Sequence, residues 1–283
     1  MTLWEDARRK NQTFLNEQKT RATVTDAFWT GRSVYNCSMI VCQAEDRLRI
    51  ITQHDHACFA ADLLSLWRID GWPDHPRRRE ILFAAREHDN GWREADSAPF
   101  HSPETGRPHD FMTLDLAERQ RIWRRGPARY VEKEPWATAL ILRHAQHLHR
   151  DHRQDPAWIE LFGEWDEMLA AVIDGLPEEE SAAASDDLDS DYHWVDLSDA
   201  LSLAICAGWH RPVIYEGMRG DPEDGVLRLD PFPLAGQTTF EISCRYIPDR
   251  RYRSDSDLAV ELATARWEKM KVQVQEVPSP WGE

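Results

Sequence analysis

The chain has 283 residues, of which 41% are hydrophobic, and this is enough apolar material for one large domain or two ordinary ones. Its 50 acidic residues outnumber the 34 basic ones and give a formal net charge of −16, which argues against a general binder of nucleic-acid polymers or anionic membranes, since such binders rely on Lys and Arg. The lack of a long apolar run, of a secretory signal and of a CxxC pair predicts a soluble protein of a reducing cytoplasm.

The first predicted elements are an amino-terminal extension and a β-hairpin. Residues 1–38 are polar and carry too few apolar side chains to form a unit of their own. The β-rich runs Met39–Cys42 and Leu48–Thr52 flank a polar turn and predict a hairpin. Five helices follow, interrupted by a Pro-rich loop over residues 97–112: His54–Ile69, Pro76–Asn90, Asp115–Lys133, Pro135–His152 and Pro156–Ile173.

The carboxy-terminal part differs from the preceding helical segments in composition and in hydrophobic pattern. Residues 175–192 are acidic and rich in Ser and Ala, and we predict an exposed, mobile insertion there. Helical spacing then predicts a helix over Trp194–Gly208 and a short one over Leu258–Met270, and alternating runs predict three further strands: Val226–Leu229, Thr238–Ser243 and Lys271–Val277. The predicted fold class is α+β: a mainly α helical bundle over residues 39–283, a single domain, with a small antiparallel β-sheet formed by the hairpin and the later strands.

Imidazole and carboxylate side chains fall on the apolar faces of four predicted helices. Each lies three or four positions from apolar residues of its own helix and therefore points inwards: His56, His88, Asp89, His144 and Asp199. Burying such a group without a partner costs several kcal/mol. A divalent metal ion accepts both kinds of ligand, and the interior of a helix bundle is a common place for such a site. The set predicts a bound divalent ion, which could be Mn, Fe, Zn or Mg.

Each of these residues taken alone has a simpler interpretation. A single inward histidine is more often a hydrogen-bonded core residue than a ligand, and Asp199 alone is compatible with a helix cap or an ion pair with Arg. The 13 tryptophans are interpreted as packing residues. Motifs of other catalytic classes, such as GxSxG, GxxxxGK[ST], GxGxxG and HExxH, do not occur.

The order of these residues resembles a known ligand set. His56, the doublet His88-Asp89, His144 and Asp199 are similar in order to the ligands of the HD-domain metal-dependent phosphohydrolases, a helical fold in which each ligand lies on a helix. The stretches REHDNGWREADSAP, GRPHDF, LILRHAQHL and DLSDALSLAICAGW also resemble a bacterial domain-of-unknown-function family, number 3891, from about Met39 to the carboxyl end. That family implies no activity; the first resemblance implies an HD-like helical domain.

The resemblance to the phosphohydrolases implies a role for each residue. Four side chains would bind the first ion, which lowers the pKa of a bound water so that hydroxide attacks phosphorus: His56, His88, Asp89 and Asp199. His144 would act as a catalytic residue that donates to the leaving group, or as a ligand of a second ion, for which His147 is a further candidate.

The remaining candidates surround this set in the sequence. Glu87 and Asp96 are candidates for orienting ligands or carrying protons. Arg93 and Arg143 are the local cations that we expect to bind a small anionic substrate. On this interpretation the protein is a metal-dependent hydrolase of HD type that acts on a small phosphorylated, nucleotide-like substrate.

Two other functions remain open at this point. Some HD-fold proteins hold two irons with the same kinds of ligand and activate oxygen, and here His147 would have to supply the sixth ligand. A metal-containing protein-interaction module without catalysis is the third hypothesis, in which the Trp-rich surface and the acidic segment serve a protein partner.

Overall fold

The computed structural model describes residues 39–111 and 114–278. The predicted extension, residues 1–38, lies outside these ranges. The α-helices within them are α1 Gln53–Ser65, α2 Arg78–Glu87, α3 Arg93–Ser97, α4 Leu116–Ala128, α5 Pro135–Leu148, α6 Ile159–Asp174, α7 Glu178–Cys206 and α8 Asp255–Thr264. The strands are β1 Ile40–Ala44, β2 Arg47–Ile51, β3 Val213–Tyr215, β4 Met218–Glu223, β5 Val226–Asp230, β6 Thr238–Pro248 and β7 Trp267–Glu276.

The strands form one mixed sheet in the order β1-β2-β6-β7-β5-β4-β3, curled into a half-barrel. Neighbouring strands are antiparallel, except that β5 and β7 are parallel and pair Val226 with Gln273. About 50% of the structure is helical. The predicted fold class, a mainly α, HD-like bundle with a small antiparallel sheet, is therefore wrong, because a substantial seven-stranded mixed sheet shares the core with the helices.

The part of the sheet that was not predicted comes from segments with weak strand patterns. β3 has only three residues, and β4 contains Gly220 and Pro222, which are residue types that strands usually avoid. The end of the predicted helix over 258–270 belongs instead to β7, which begins at Trp267. β6 continues five residues beyond the predicted Ser243 and reaches Pro248. These additions turn a small sheet into one that spans the molecule.

Helices α1, α2, α5 and α7 pack against one another beside this sheet. α1 also contacts β6, and α7 contacts β3 and β4. Phe59 of α1 meets Phe240 of β6 with ring centroids 5.5 Å apart. Gly220 permits the close approach of α7 to β4, because a Cβ at this position would lie 2.6 Å from Leu201 Cδ2. The sheet therefore holds α1 and α7 in place from two different strands.

Helix α7 replaces two of the predicted elements. It begins at Glu178, not at Trp194, and so includes most of the predicted insertion. Its first turn is acidic, which stabilises a helix amino terminus, and Ala184 and Leu188 are buried. Asp191 is buried and accepts a hydrogen bond from Trp136 Nε1 at 2.8 Å. The acidic segment is thus helical and packs on the body of the protein.

The other predicted helices occur close to their predicted positions. Asp115 caps α4 by accepting the backbone N–H of Glu118 at 2.9 Å, which satisfies a donor of the first turn. The described part of the predicted loop, residues 97–111, contains the last residue of α3 and two isolated bridges, between His101 and Pro108 and between Asp110 and Met39. Within the described ranges, none of the helices combines the length and the hydrophobicity that a membrane crossing requires.

Candidate metal centre

Helix α1 carries His56 into the interior. Thr52 caps this helix by accepting the backbone N–H of Asp55 at 3.0 Å. His56 lies on the buried face of the helix and is 0% exposed. Its Nδ1 lies 2.8 Å from Ser202 Oγ of α7, and its Nε2 lies 2.9 Å from Asp89 Oδ2. Both ring nitrogens therefore contact groups from other helical segments.

Ser202 determines which nitrogen of His56 carries a proton. The Ser202 hydroxyl donates to the carbonyl oxygen of Asp199 at 3.2 Å, so its oxygen is left to accept the Nδ1–H of His56. In the tautomer that this bond selects, Nε2 is an acceptor facing a carboxylate oxygen of Asp89 at 2.9 Å. Two acceptors at that distance need a cation between them, either a proton or a metal ion. A ligand histidine oriented by a bond to its other nitrogen has this arrangement.

The end of α2 presents His88 and Asp89 towards the same point. His88 caps the helix, and its Nδ1 donates to the carbonyl oxygen of Ala85 at 2.8 Å. This bond directs Nε2 inwards, 3.3 Å from Asp199 Oδ1 and 3.5 Å from Asp89 Oδ2. The chain leaves the α-helical path here and enters a short 3-10 helix at Asn90. Neighbouring residues can therefore converge, although within a regular helix they would diverge by about 100°.

Two of the facing atoms have no hydrogen-bond partner. His88 Nε2 and Asp199 Oδ1 are both buried and both unpaired, although they lie 3.3 Å apart. Buried polar atoms are nearly always hydrogen-bonded in proteins. An imidazole nitrogen and a carboxylate oxygen that face one point without bonding to each other fit the donor set of a metal site.

Helix α5 adds His144 to the cluster. Its ring centroid lies 4.8 Å from that of His88, and its Nδ1 lies 3.1 Å from the hydroxyl of Tyr192. Two groups of three residues each offer ligand atoms within 4.8 Å of one another: His56, His88 and Asp199, and His88, Asp89 and His144. The structure thus brings together five of the predicted ligands, and His88 is common to both groups.

The charges of the cluster depend on one another. Burial alone would lower the pKa of His88, but the carboxylates of Asp89 and Asp199 outweigh it and raise this pKa to about 9. Burial opposes ionisation of Asp199, yet the contact with His88 lowers the pKa of Asp199 to about 2. Burial, assisted by the nearby His88, lowers the pKa of His144 to about 3. Without an ion, a proton on His88 therefore offsets one of the two carboxylate charges, whereas His144 is neutral.

Two of the other predicted residues lie outside the cluster on α5. His147 belongs to neither ligand group, and its Nε2 lies 3.7 Å from Asp196 Oδ2. Arg143 forms an ion pair of 2.6 Å with Asp189, an exposed residue of α7. The structure therefore does not bring His147 to the predicted ligands, and it engages Arg143 on the outer face of α7.

Glu87, Arg93 and Asp96 have structural partners near the cluster. Glu87 accepts hydrogen bonds from Arg93 Nη2 at 2.8 Å and from the hydroxyl of Tyr130 at 2.9 Å. Asp96 accepts the backbone N–H of Gln53, the first residue of α1, at 3.0 Å. Burial raises the pKa of Asp96 well above its usual value. Glu87 and Arg93 thus neutralise each other, and Asp96 anchors the start of the helix that carries His56.

Three residues that contact the cluster, directly or through one neighbour, were not predicted. Ser202 bonds to His56, Tyr192 bonds to His144, and Asp196 accepts the hydroxyl proton of Tyr192 at 3.2 Å. Tyr192, Asp196 and Asp199 are spaced by four and three residues on α7, so they share one helix face. The spacing is visible in the sequence, but Tyr192 precedes the predicted start of that helix.

Comparison with known proteins gives one match. A family model described as a protein of unknown function (DUF3891) matches residues 39–249, a range that contains β1 to β6 and every candidate ligand. No curated protein and no solved structure matches the chain. The predicted resemblance to the domain-of-unknown-function family is confirmed, and none of these comparisons supports the resemblance to the HD-domain family.

Proposed function

We propose a metal-dependent hydrolytic function for this chain, which belongs to the DUF3891 family of proteins of unknown function. The substrate would be a small phosphorylated molecule, and the ion would be divalent. The ligands in this proposal are the four residues joined by contacts of 2.9, 3.3 and 3.5 Å between a ring nitrogen and a carboxylate oxygen: His56, His88, Asp89 and Asp199.

The observation that carries the proposal is the contact between His88 and Asp199. Their facing nitrogen and oxygen are buried and lie 3.3 Å apart, in an ion-pair contact without a hydrogen bond. A buried polar atom without a hydrogen bond costs about 1–3 kcal/mol. A divalent ion bound by both atoms would remove this cost, and the carboxylates of Asp89 and Asp199 supply the two negative charges that neutralise it.

The residues of the cluster are suited to water activation. A divalent ion held by imidazole and carboxylate ligands lowers the pKa of a bound water towards about 7. His144 is neutral because its pKa is about 3, so a ring nitrogen without a proton is available there to bind an ion. The ordered ligand set also resembles that of the HD-domain phosphohydrolases, which supports hydrolysis independently of the fold.

Arg93 is the better supported of the two predicted substrate cations. It bonds to Glu87, the neighbour of His88 in the chain, and its Nε is buried without a partner. Arg143 instead pairs with Asp189 on the outer face of α7. An anionic substrate that engages Arg93 would compete with Glu87 for the guanidinium.

The burial of the ligands favours one alternative, a structural ion. His56, His88 and His144 are no more than 1% exposed, and closed sites of this kind occur where the metal contributes to folding. The di-iron oxygenase hypothesis has less support, because its sixth ligand, His147, lies beside Asp196 and outside both ligand groups.

Elemental analysis of the purified full-length protein tests the metal site. We expect about one equivalent of a divalent metal in the wild type and in a His210→Ala control, which removes an exposed histidine. The His88→Ala and Asp89→Asn variants should lose the metal while keeping the wild-type circular dichroism. Equal metal content in all four proteins would refute the site.

Activity assays then separate the functions. Release of inorganic phosphate from a panel of nucleotides and sugar phosphates, by protein loaded with Mn, Fe, Zn or Mg, is the expected result. It should be lost in the Asp89→Asn variant. Iron-dependent oxygen uptake would favour the oxygenase, and tight metal binding without either activity would favour the structural ion.

A further inference from the structure

A buried chain of polar side chains leads away from His144. The hydroxyl of Tyr192 lies 3.1 Å from His144 Nδ1 and 3.2 Å from Asp196 Oδ1. The second oxygen of Asp196 accepts the hydroxyl proton of Tyr215, from β3, at 2.7 Å. Tyr192 and Asp196 are both buried. The chain therefore connects the cluster to the sheet through two tyrosines and one carboxylate.

The direction of the hydrogen bonds follows from the protons that each group holds. A carboxylate has no proton to donate, and a phenol has one. The single hydroxyl proton of Tyr192 goes to Asp196, so the Tyr192 oxygen must accept the Nδ1–H of His144. Nε2 of His144 is then the nitrogen without a proton, and it is free to bind an ion.

We propose that Asp196 is a positioning residue that acts through Tyr192 to hold His144 in the tautomer with its proton on Nδ1. This inference rests on the proposed function, because the free Nε2 matters only if His144 binds a metal. Partners of this kind, which orient a ligand histidine, typically contribute 10- to 100-fold to metal affinity or activity. Tyr192 thus performs for His144 the task that Ser202 performs for His56, and Asp196 orients Tyr192 as the carbonyl oxygen of Asp199 orients Ser202.

Because Asp196, Tyr192 and Tyr215 make different hydrogen bonds, substituting each of them should affect the tautomer of His144 differently. Asp196→Ala frees the hydroxyl proton of Tyr192, which can then donate to Nδ1 and move the proton of His144 to Nε2. Tyr192→Phe removes the acceptor, so neither tautomer is selected. Tyr215→Phe removes a bond to Asp196 but leaves the bonds between Asp196, Tyr192 and His144, and it is the matched control for Tyr192→Phe.

Nitrogen NMR of the full-length, metal-free protein with 15N-labelled histidine measures the tautomer directly. The His144 signal is assigned by its loss in a His144→Asn variant. We expect a protonated Nδ1 in the wild type and in Tyr215→Phe, a protonated Nε2 in Asp196→Ala, and a mixture in Tyr192→Phe. The affinity for Zn²⁺, measured by chelator competition, should fall about 10- to 100-fold in Asp196→Ala and Tyr192→Phe and stay at the wild-type value in Tyr215→Phe.

A protonated Nε2 on His144 in the wild type would overturn the inference, and so would wild-type zinc affinity in both Asp196→Ala and Tyr192→Phe. If a variant fails to fold, the wild-type NMR spectrum still decides the tautomer. If the wild type binds no zinc, the proposed function fails, while the NMR result decides separately whether Asp196 sets the tautomer.

Discussion

Metal binding at this cluster should release a proton from His88. In the metal-free protein, Asp199 and Asp89 lie 3.3 and 3.5 Å from His88 Nε2, and the pKa of His88 is about 9 despite burial. Imidazole binds a metal only through a deprotonated nitrogen, so the ion competes with this proton. Below a pH of about 9, each pH unit should raise the apparent metal affinity about tenfold, which is about 100-fold between pH 6 and pH 8.

The same pKa predicts that the stability of the metal-free protein falls with rising pH, whereas its metal affinity rises. A pKa raised from 6.5 to about 9 stabilises the fold below about pH 6.5, and this contribution is lost as the pH rises through about 9. The shift corresponds to at most about 3 kcal/mol. With zinc bound, His88 is deprotonated in the folded state. We therefore expect the stability of the zinc-bound protein to rise with pH over the range in which that of the metal-free protein falls.

Isothermal titration of zinc in two buffers with different ionisation enthalpies counts the released protons, and urea unfolding at several pH values measures the stability. We expect about one proton per ion in the wild type and in the His210→Ala control. The His88→Gln variant should lack both the proton release and the alkaline loss of metal-free stability. A zinc affinity independent of pH between about 6 and 8, without proton release, would refute the assignment of His88 as a ligand.

Three further predictions concern the metal, the sheet and α7. Removing metal with a chelator should lower the melting temperature, and zinc at about 100 times its Kd should restore about 2.7 kcal/mol of the free energy of unfolding. An unchanged melting curve would contradict this. Gly220→Ala should destabilise the fold by about 1–3 kcal/mol in urea, since its Cβ would meet Leu201, whereas Gly236→Ala, with open space around it, is the control. Asp191→Ala should lower the free energy of unfolding by about 3 kcal/mol. The folded variant should bind zinc with the wild-type affinity, because Asp191 pairs with Trp136 and Arg77 away from the ligands.

The cluster could be anticipated because it depends on helical periodicity. His56, His144 and Asp199 each lie on the apolar face of a helix, and this face is visible in the spacing of their neighbours. The convergence of His88 with Asp89 depends on a local change from α-helix to 3-10 helix, which the sequence pattern does not specify. His147 lies three residues after His144 on the same helix, yet its ring lies beside Tyr192 and Asp196 and belongs to neither ligand group.

The sheet could be predicted only in part, because its pairing is long-range. The hairpin and the alternating runs of β5, β6 and β7 follow local patterns. The parallel contact between β5 and β7 joins segments far apart in the chain, and β3 and β4 lie at one edge of the sheet in contact with α7; no local pattern reports either arrangement. The helical start of α7 was missed because an acidic, Ser-rich composition resembles that of a loop, whereas burial of Ala184 and Leu188 stabilises it as a helix.

The central position of β7 determines when the molecule can become complete. β7 follows every other strand in chain order but lies between β6 and β5, so without it the sheet separates into a β1-β2-β6 half and a β5-β4-β3 half. α1 contacts the first half and α7 the second. Because α1 and α7 also contact each other directly, we expect the helices to bring the two halves side by side, and residues 267–276 then join them into one sheet by pairing with both.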